Sequence, residues 1–529
     1  MDESQPVSLA VGLGPFDWVV LTAYGLLLVG SGWWFSRRAA TSTEDYFMAG
    51  RSMPAWAVAF SLLATAQSAA TFVGVPQASY DKNLTYVTSM LGPILAAIIT
   101  VALFLPAYYK RNVHSPYHML ETRFGPGARA ATSWTYLLGR VLANGARTYI
   151  GALPLSLAVF GDTSLPHVVM SIVAIMSIAT VYTFFGGIRS VIWTDVIQVC
   201  VYLGAAVVAL FVLCNRIPAS GGEIFSALQQ GGKLETMSFG MSPTKPYIDW
   251  GDGMTVLTGL TGWMLLNLAV SSTDQDLVQR SLTCKNSVEA GKSLMLATAI
   301  GVPVVLVFLA IGLLLHIYYQ RPDIMGAAAT NVTSIPSKDV FATFILSEMP
   351  AGVRGLMIAG VLAIGPIGIN ATINSMASTL VQDTYEKIVK TRDTRRDLFV
   401  SRMMVVLCAV VLASGAIIAA WVQSVYEMKL IPFALGVMAL AYTGLLAVFL
   451  TAILSKRGST KSVIAALVTG FVVALMLQPG VATWWHVQLN LPQSALTNLA
   501  SPWIMVLGTS AALVVCLVGK PVSRDSRES

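Results

Sequence analysis

The chain has 529 residues, 55% hydrophobic and only 11% charged, where a soluble domain carries roughly 25% charged residues. Its net charge of +7 is spread over loops between apolar runs, which excludes a basic nucleic-acid surface. No extramembrane stretch reaches the ~50 residues of a small catalytic domain, and no phosphate-binding glycine loop occurs. The sequence therefore reads as a non-enzyme that needs no organic cofactor.

The first fifteen residues are polar and acidic, without the basic start of a cleavable signal. Thirteen apolar spans follow, expected at about 17–36, 54–79, 86–108, 131–160, 166–186, 191–214, 253–275, 294–318, 353–386, 398–421, 430–454, 461–478 and 500–519. Each is about long enough to cross a ~30 Å hydrocarbon core. The expected fold class is an all-α integral membrane protein with about 13 transmembrane helices. Residues 17–36, 54–454 and 461–519 hold one, ten and two of these spans, and 520–529 is a polar tail. Arg37, Arg38, Lys110, Arg111, Lys387, Arg395, Arg396, Lys456 and Arg457 fall on the side of the C-terminus. The positive-inside rule then puts the N-terminus outside and the C-terminus in the cytoplasm, in a multi-pass cell membrane, with a bacterial inner membrane favoured. The segments 216–252 and 318–350 read as external surface helices and lids.

The span 54–79 carries Thr65, Gln67, Ser68 and Thr71, with Gly74 and Pro76 just beyond. Polar groups and helix breakers at this depth are tolerated where they face protein or a wet cavity. A discontinuous helix there offers carbonyls to a cation and N–H groups to an anion; interhelical packing of small residues is the competing reading. Five spans later, 253–275 repeats the theme with Asn267, Ser271, Ser272, Thr273 and Asp274. A five-plus-five inverted repeat would make these two spans equivalent partners at a solute site.

Between them, the span 131–160 places Arg140, Asn144 and Arg147 on one helical face. Each arginine at the bilayer centre costs about 2.5–3.5 kcal/mol on insertion scales, so partners or a cavity are required. Arg140 and Asn144 are candidate solute ligands, because a guanidinium fork suits a carboxylate. The competing readings are an ion pair with Asp195, or snorkelling of Arg147 toward the external face.

Four blocks carry a resemblance to the sodium/solute symporter family: Asp45–Arg51; Gly186-Gly187-Ile188-Arg189 running into Trp193–Gln198; Gln279–Leu282 with Lys285; and Asn374-Ser375 followed by Asp383-Thr384-Tyr385. The resemblance spans residues 17 to 455. It implies a leucine-transporter-like fold, with one leading and two trailing helices around the inverted-repeat core. It also implies alternating access of a small organic solute, with a monomer sufficient and the lipid bilayer as its other partner. Gln279–Leu282 is read as the loop after the sixth core helix.

Carried over by position, the family's main sodium site falls on Ala64, Gln67 and Ile364 through carbonyls, and on Ile367 and Gly368 where the family has two hydroxyls, with Asp195 nearby. Both hydroxyls are missing here, and Pro366 removes a helix hydrogen bond. The coupling ion is expected to be sodium, with a proton taken up by Asp195 or an uncoupled carrier as alternatives. The glutamate and lysine with which sugar-carrying members grip hydroxyls are Met90 and Gly301 here, whereas Arg140 matches an arginine of the sialic-acid-carrying members. The expected solute therefore bears a carboxylate, a neutral sugar or amino acid being the alternative. Its expected contacts are Ser68, Thr71, Arg140, Asn144 and Asn267, with Phe72 and Tyr86 as apolar walls. A sensor that binds solute without moving it is the rival from another class.

Overall fold

The computed structural model describes residues 13–36, 42–67, 69–113, 115–241, 249–326, 335, 337, 340–389, 393–426, 430–489 and 499–520. Regular structure among them is helical throughout. All thirteen expected spans fall on helix. Among the described residues, five helices are individually long and apolar enough to cross a membrane, and eight qualify if each of three bent pairs counts as one span.

The leading helix Pro15–Ser36 packs against Leu165–Arg216 and Val353–Leu380. Its buried Asp17 accepts from the N–H groups of Gly352 (2.7 Å) and Gly355 (2.8 Å). A carboxylate there satisfies orphan donors at the start of Val353–Leu380 and complements its dipole.

Two expected spans merge into the single helix Leu165–Arg216, kinked at Gly187 (φ 55°, ψ −157°). A Cβ at Gly187 would collide with the Tyr46 carbonyl, while the Tyr46 hydroxyl donates to the Thr183 carbonyl at 2.8 Å. The double glycine thus lets the helix Thr43–Met48 nest in the kink. Only glycine tolerates both the positive φ and the contact.

Both spans singled out for polarity are broken. Ala55–Ala66 ends at Gln67, whose backbone is extended (φ −77°, ψ 156°), and the chain resumes with a 61° bend. Pro76 does not make this break. It lies inside Ala69–Asp81, its carbonyl accepting from Ser79 Oγ at 3.1 Å. The second pair, Val256–Ser272 and Gln275–Leu282, is bent by 54°. Asp274 caps the second half, its Oδ1 accepting from the Asp276 N–H at 2.9 Å. That cap corrects the sequence expectation for Gln279–Leu282: the segment is not a loop but the second limb of the broken helix. An N-cap carboxylate restarts the helix immediately after the break.

Outside the core, Gly221–Gln230 and Val340–Glu348 supply the expected surface helices. Lys233 reaches back to donate to the Tyr80 carbonyl at 2.7 Å, fastening the end of Ala69–Asp81. The helices Leu430–Leu454, Thr460–Met476 and Ser501–Val518 pack closely through Gly444, Gly470 and Gly508, as small residues allow.

Candidate functional site

The two breaks open toward the helix Pro126–Phe160, which carries Arg140 and Arg147. Arg140 is 4% exposed. Its Nε donates to Asp274 Oδ1 at 3.2 Å and its Nη2 to Asp274 Oδ2, which also accepts from the Tyr442 hydroxyl. The same Nη2 lies 3.3 Å from Asp276 Oδ2. The expected pairing with Asp195 is therefore corrected: Arg140 pairs with the cap of the second broken helix. Asp195 is taken instead by Arg280, at 3.1 Å, and by the Ser61 hydroxyl, at 2.5 Å. Arg280 closes the chain by pairing with Asp276 on its own helix, whose Oδ2 also accepts from Thr372 at 3.2 Å.

Arg147 does not snorkel outward. Its Nη2 donates to the carbonyls of Gln67 (3.0 Å) and Thr65 (3.4 Å), at the end of Ala55–Ala66. It lies within the electrostatic reach of Arg140, Asp276 and Asp274. Around the two breaks, then, Asp195, Asp274 and Asp276 face Arg140, Arg147 and Arg280. The formal charges cancel, as a low-dielectric interior requires.

At the second break the freed carbonyls of Ser272 and Thr273 accept from the hydroxyls of Tyr108 and Tyr117, the latter at 3.1 Å. Ser271 meets Thr100 across the same gap at 2.8 Å.

Of the expected solute ligands, Ser68 lies outside the described residues. Thr71 sits on the second limb of the first broken helix and is partly buried. Asn267 is also partly buried and donates to the Trp263 carbonyl one turn back at 2.8 Å. Asn144 is buried and donates to the carbonyl of Arg140 at 3.3 Å. Phe72 belongs to an aromatic cluster. It is fully buried and packed on Tyr202, Phe308 and Phe341, with ring centroids 5.1–5.8 Å apart. Tyr86, partly buried, borders the same apolar cluster. Beside Arg140 and Tyr442 a cavity of about 10 Å³ is lined by Tyr136, Gly139, Ala143 and Met438 among others. That is room for about one water, so a solute at Arg140 requires the helices Pro126–Phe160 and Leu430–Leu454 to part.

Among the ion-site positions, Ala64 and Asp195 are fully buried and Gln67 is 7% exposed. Asp195 Oδ1 has no hydrogen-bond partner among the described residues. Gly368 is buried, and a Cβ placed there would lie 3.5 Å from Arg147 Nη2. The side chains of Ile364 and Ile367 lie outside the described atoms, although their backbone belongs to the helix Val353–Leu380.

The sequence reading did not single out Asp276, Tyr442 or Ser61. Asp276 and Arg280 did leave a trace, since their i, i+4 spacing in a charge-poor chain marks a helical ion pair. Tyr442 is one hydroxyl in an apolar run and left none. A second buried network was also unread. Arg129 pairs with Asp383 and Glu121, and Asp383 accepts from Ser115 (3.1 Å) and Ser133 (2.6 Å). It ties Pro116–Phe124 and Pro126–Phe160 to the turn after Val353–Leu380.

Helices broken at paired positions around a buried polar centre define a membrane transporter. Residues 46–470 match the Sodium:solute symporter family, and the chain belongs to that family, whose members couple solute movement to sodium. It is 29% identical over 524 residues to a sodium/sialic acid symporter of Aliivibrio fischeri, covering 98% of this chain and 96% of the relative. To a sodium/sialic acid symporter of Proteus mirabilis it is 28% identical, covering 88% and 90%. Its fold matches a solved Na⁺-coupled sialic acid symporter in a substrate-bound outward-open state. The TM-score is 0.78 at 24% identity, over 96% of this chain and 97% of the other.

Proposed function

We propose that the chain is a secondary transporter that moves a small carboxylate-bearing solute across a cell membrane by alternating access. The observation that carries this reading is the meeting of two broken helices at one buried, charge-balanced centre beside Arg140. Half-helix ends supply oriented N–H and carbonyl groups that a continuous helix keeps for itself. The solute site lies between the breaks, with Thr71 and Asn267 as polar contacts, Asn144 beside them, and Tyr86 on the apolar side. A solute carboxylate engages Arg140 in competition with Asp274, which keeps its bond to Tyr442 and its cap hydrogen bond as it does so. Sialic acid symporters among the relatives support an acidic sugar as the first compound to try. The loops rich in arginine and lysine support a cytoplasmic C-terminus.

The saturation of Arg140 by Asp274 and Asp276 favours a second reading, in which the arginine is structural and the solute neutral. A binding screen separates the two. Purified protein is titrated with sialic acid, small monocarboxylates, hexoses and amino acids, and its thermal midpoint followed. Stabilisation by carboxylates, reduced when Asn267→Ala is introduced, supports the first reading. Stabilisation by hexoses alone, unaffected by replacing Arg140 and Asp274 together, supports the second. No response to any class counts against both.

A further inference from the structure

Each break leaves carbonyl oxygens without their helical N–H partners, and the two breaks satisfy them differently. At the second, neutral tyrosine hydroxyls of Tyr108 and Tyr117 do so. At the first, the donor is the charged guanidinium of Arg147, bound to Gln67 and Thr65. A hydroxyl is enough to satisfy a carbonyl, so the charge is an added property of the first break. Carbonyls at the C-terminal end of a half-helix carry the negative end of its dipole, and in transporters of this architecture such ends coordinate the driving cation.

The residues present do not suit a sodium ion at this position. Gly368 brings no hydroxyl, and Arg147 borders it, its Nη2 and Cζ 3.5 and 3.7 Å from a Cβ built there. The Gln67 carbonyl, 3.0 Å from the guanidinium, is already engaged by a positive charge. Asp195, the carboxylate of Leu165–Arg216, already holds Arg280 on its Oδ2, its Oδ1 alone being without a partner among the described residues. With Arg147 seated, the three carboxylates around the breaks are matched by three guanidinium groups, and one more cation would leave an uncompensated charge.

We propose that the Arg147 guanidinium is the resident cation of the first break, tethered where this architecture otherwise takes a mobile ion, and that sodium does not bind there. Arginine remains protonated throughout the accessible pH range, so the position is permanently filled and contributes no coupling of its own. Gly368 is the complementary feature: it borders the guanidinium without offering an oxygen to a mobile ion.

Sodium itself is the probe. The purified full-length protein is melted in sodium chloride and in N-methyl-D-glucamine chloride at equal ionic strength. An ion that binds the folded state raises the midpoint. The sodium response of the wild type, from any site elsewhere, is the baseline. Arg147→Ala, which vacates the carbonyls, is expected to melt lower in N-methyl-D-glucamine and to regain stability as sodium or millimolar guanidinium is titrated in. Arg147→Gln, which keeps a neutral donor, should behave like Arg147→Ala, and Arg147→Lys like the wild type. An Arg147→Ala protein whose response to sodium and to guanidinium equals that of the wild type overturns the proposal. The comparison needs no solute and is independent of which one is carried. Arg147→Gln serves in its place where Arg147→Ala does not fold, and the same equality overturns the proposal there.

Discussion

Replacing Arg140 by methionine removes the guanidinium while keeping much of its stem. Asp274 would then be buried with only Tyr442 and its own cap hydrogen bond for company. Removing one partner of a buried pair costs about 3–5 kcal/mol, because the other charge stays in place without water. Asp274→Asn is the complementary perturbation. Asparagine is as good an N-cap as aspartate, so this change tests charge and leaves the helix start intact, while Arg140 keeps Asp276 at 3.3 Å. The double variant restores neutrality, leaving Asp195 and Asp276 against Arg147 and Arg280. Its destabilisation should fall short of the sum of the singles by about 1–3 kcal/mol, the usual range for groups in direct contact. Unfolding of the detergent-solubilised protein by denaturant gives the four free energies of the cycle. Additivity within about 0.5 kcal/mol, or a cost for Arg140→Met below about 1 kcal/mol, would refute the reasoning that these groups stabilise each other. The double variant also informs on solute: loss of carboxylate binding in a protein that remains folded assigns Arg140 to the site.

Asn267→Ala should weaken solute binding about three- to tenfold, the worth of one hydrogen bond, measured by isothermal titration, with little change in melting temperature. Gly187→Ala should cost about 1–3 kcal/mol or more, since it combines a positive φ with a clash on the Tyr46 carbonyl; thermal unfolding reports it. Glu121 lies outside the spans. Burial raises its pKa, but hydrogen bonds from Lys387 and Arg129 outweigh this and hold it below the usual value. A depressed pKa contributes stability that is complete above the unfolded value and is lost as pH falls through the folded one. Melting temperature should therefore decline on acidification into the range below ordinary glutamate, and Glu121→Gln should remove that part of the decline.

Much of this architecture is visible in the chain itself. Apolar runs of bilayer length located the helices, and clustered Thr65, Gln67 and Thr71 marked the first break. The position of the break was less legible. Pro76, the obvious suspect, sits inside a helix instead. Gln279–Leu282 read as a loop because its residues are polar, but the Asp274 cap and the Asp276–Arg280 pair make it helix. Helical spacing correctly put Arg140 and Arg147 on one face. It could not say what that face meets, since the partners come from residues about 80 and 130 positions away. Asp195 looked the natural partner for Arg140 by chemistry, yet the packing of Leu165–Arg216 against Ala55–Ala66 gives it to Ser61 and Arg280. One-dimensional patterns identify which charges need company. Tertiary packing decides the pairings.

The central claim is that the two broken helices frame a solute site that opens alternately to either side. Counterflow tests it most directly. Proteoliposomes loaded with unlabelled sialic acid or a small monocarboxylate are diluted into the labelled compound, and transient accumulation is followed. The account predicts accumulation above equilibrium that disappears in empty liposomes and is strongly reduced by Asn267→Ala. Saturable binding by the same protein, with no labelled solute entering loaded vesicles, would contradict it.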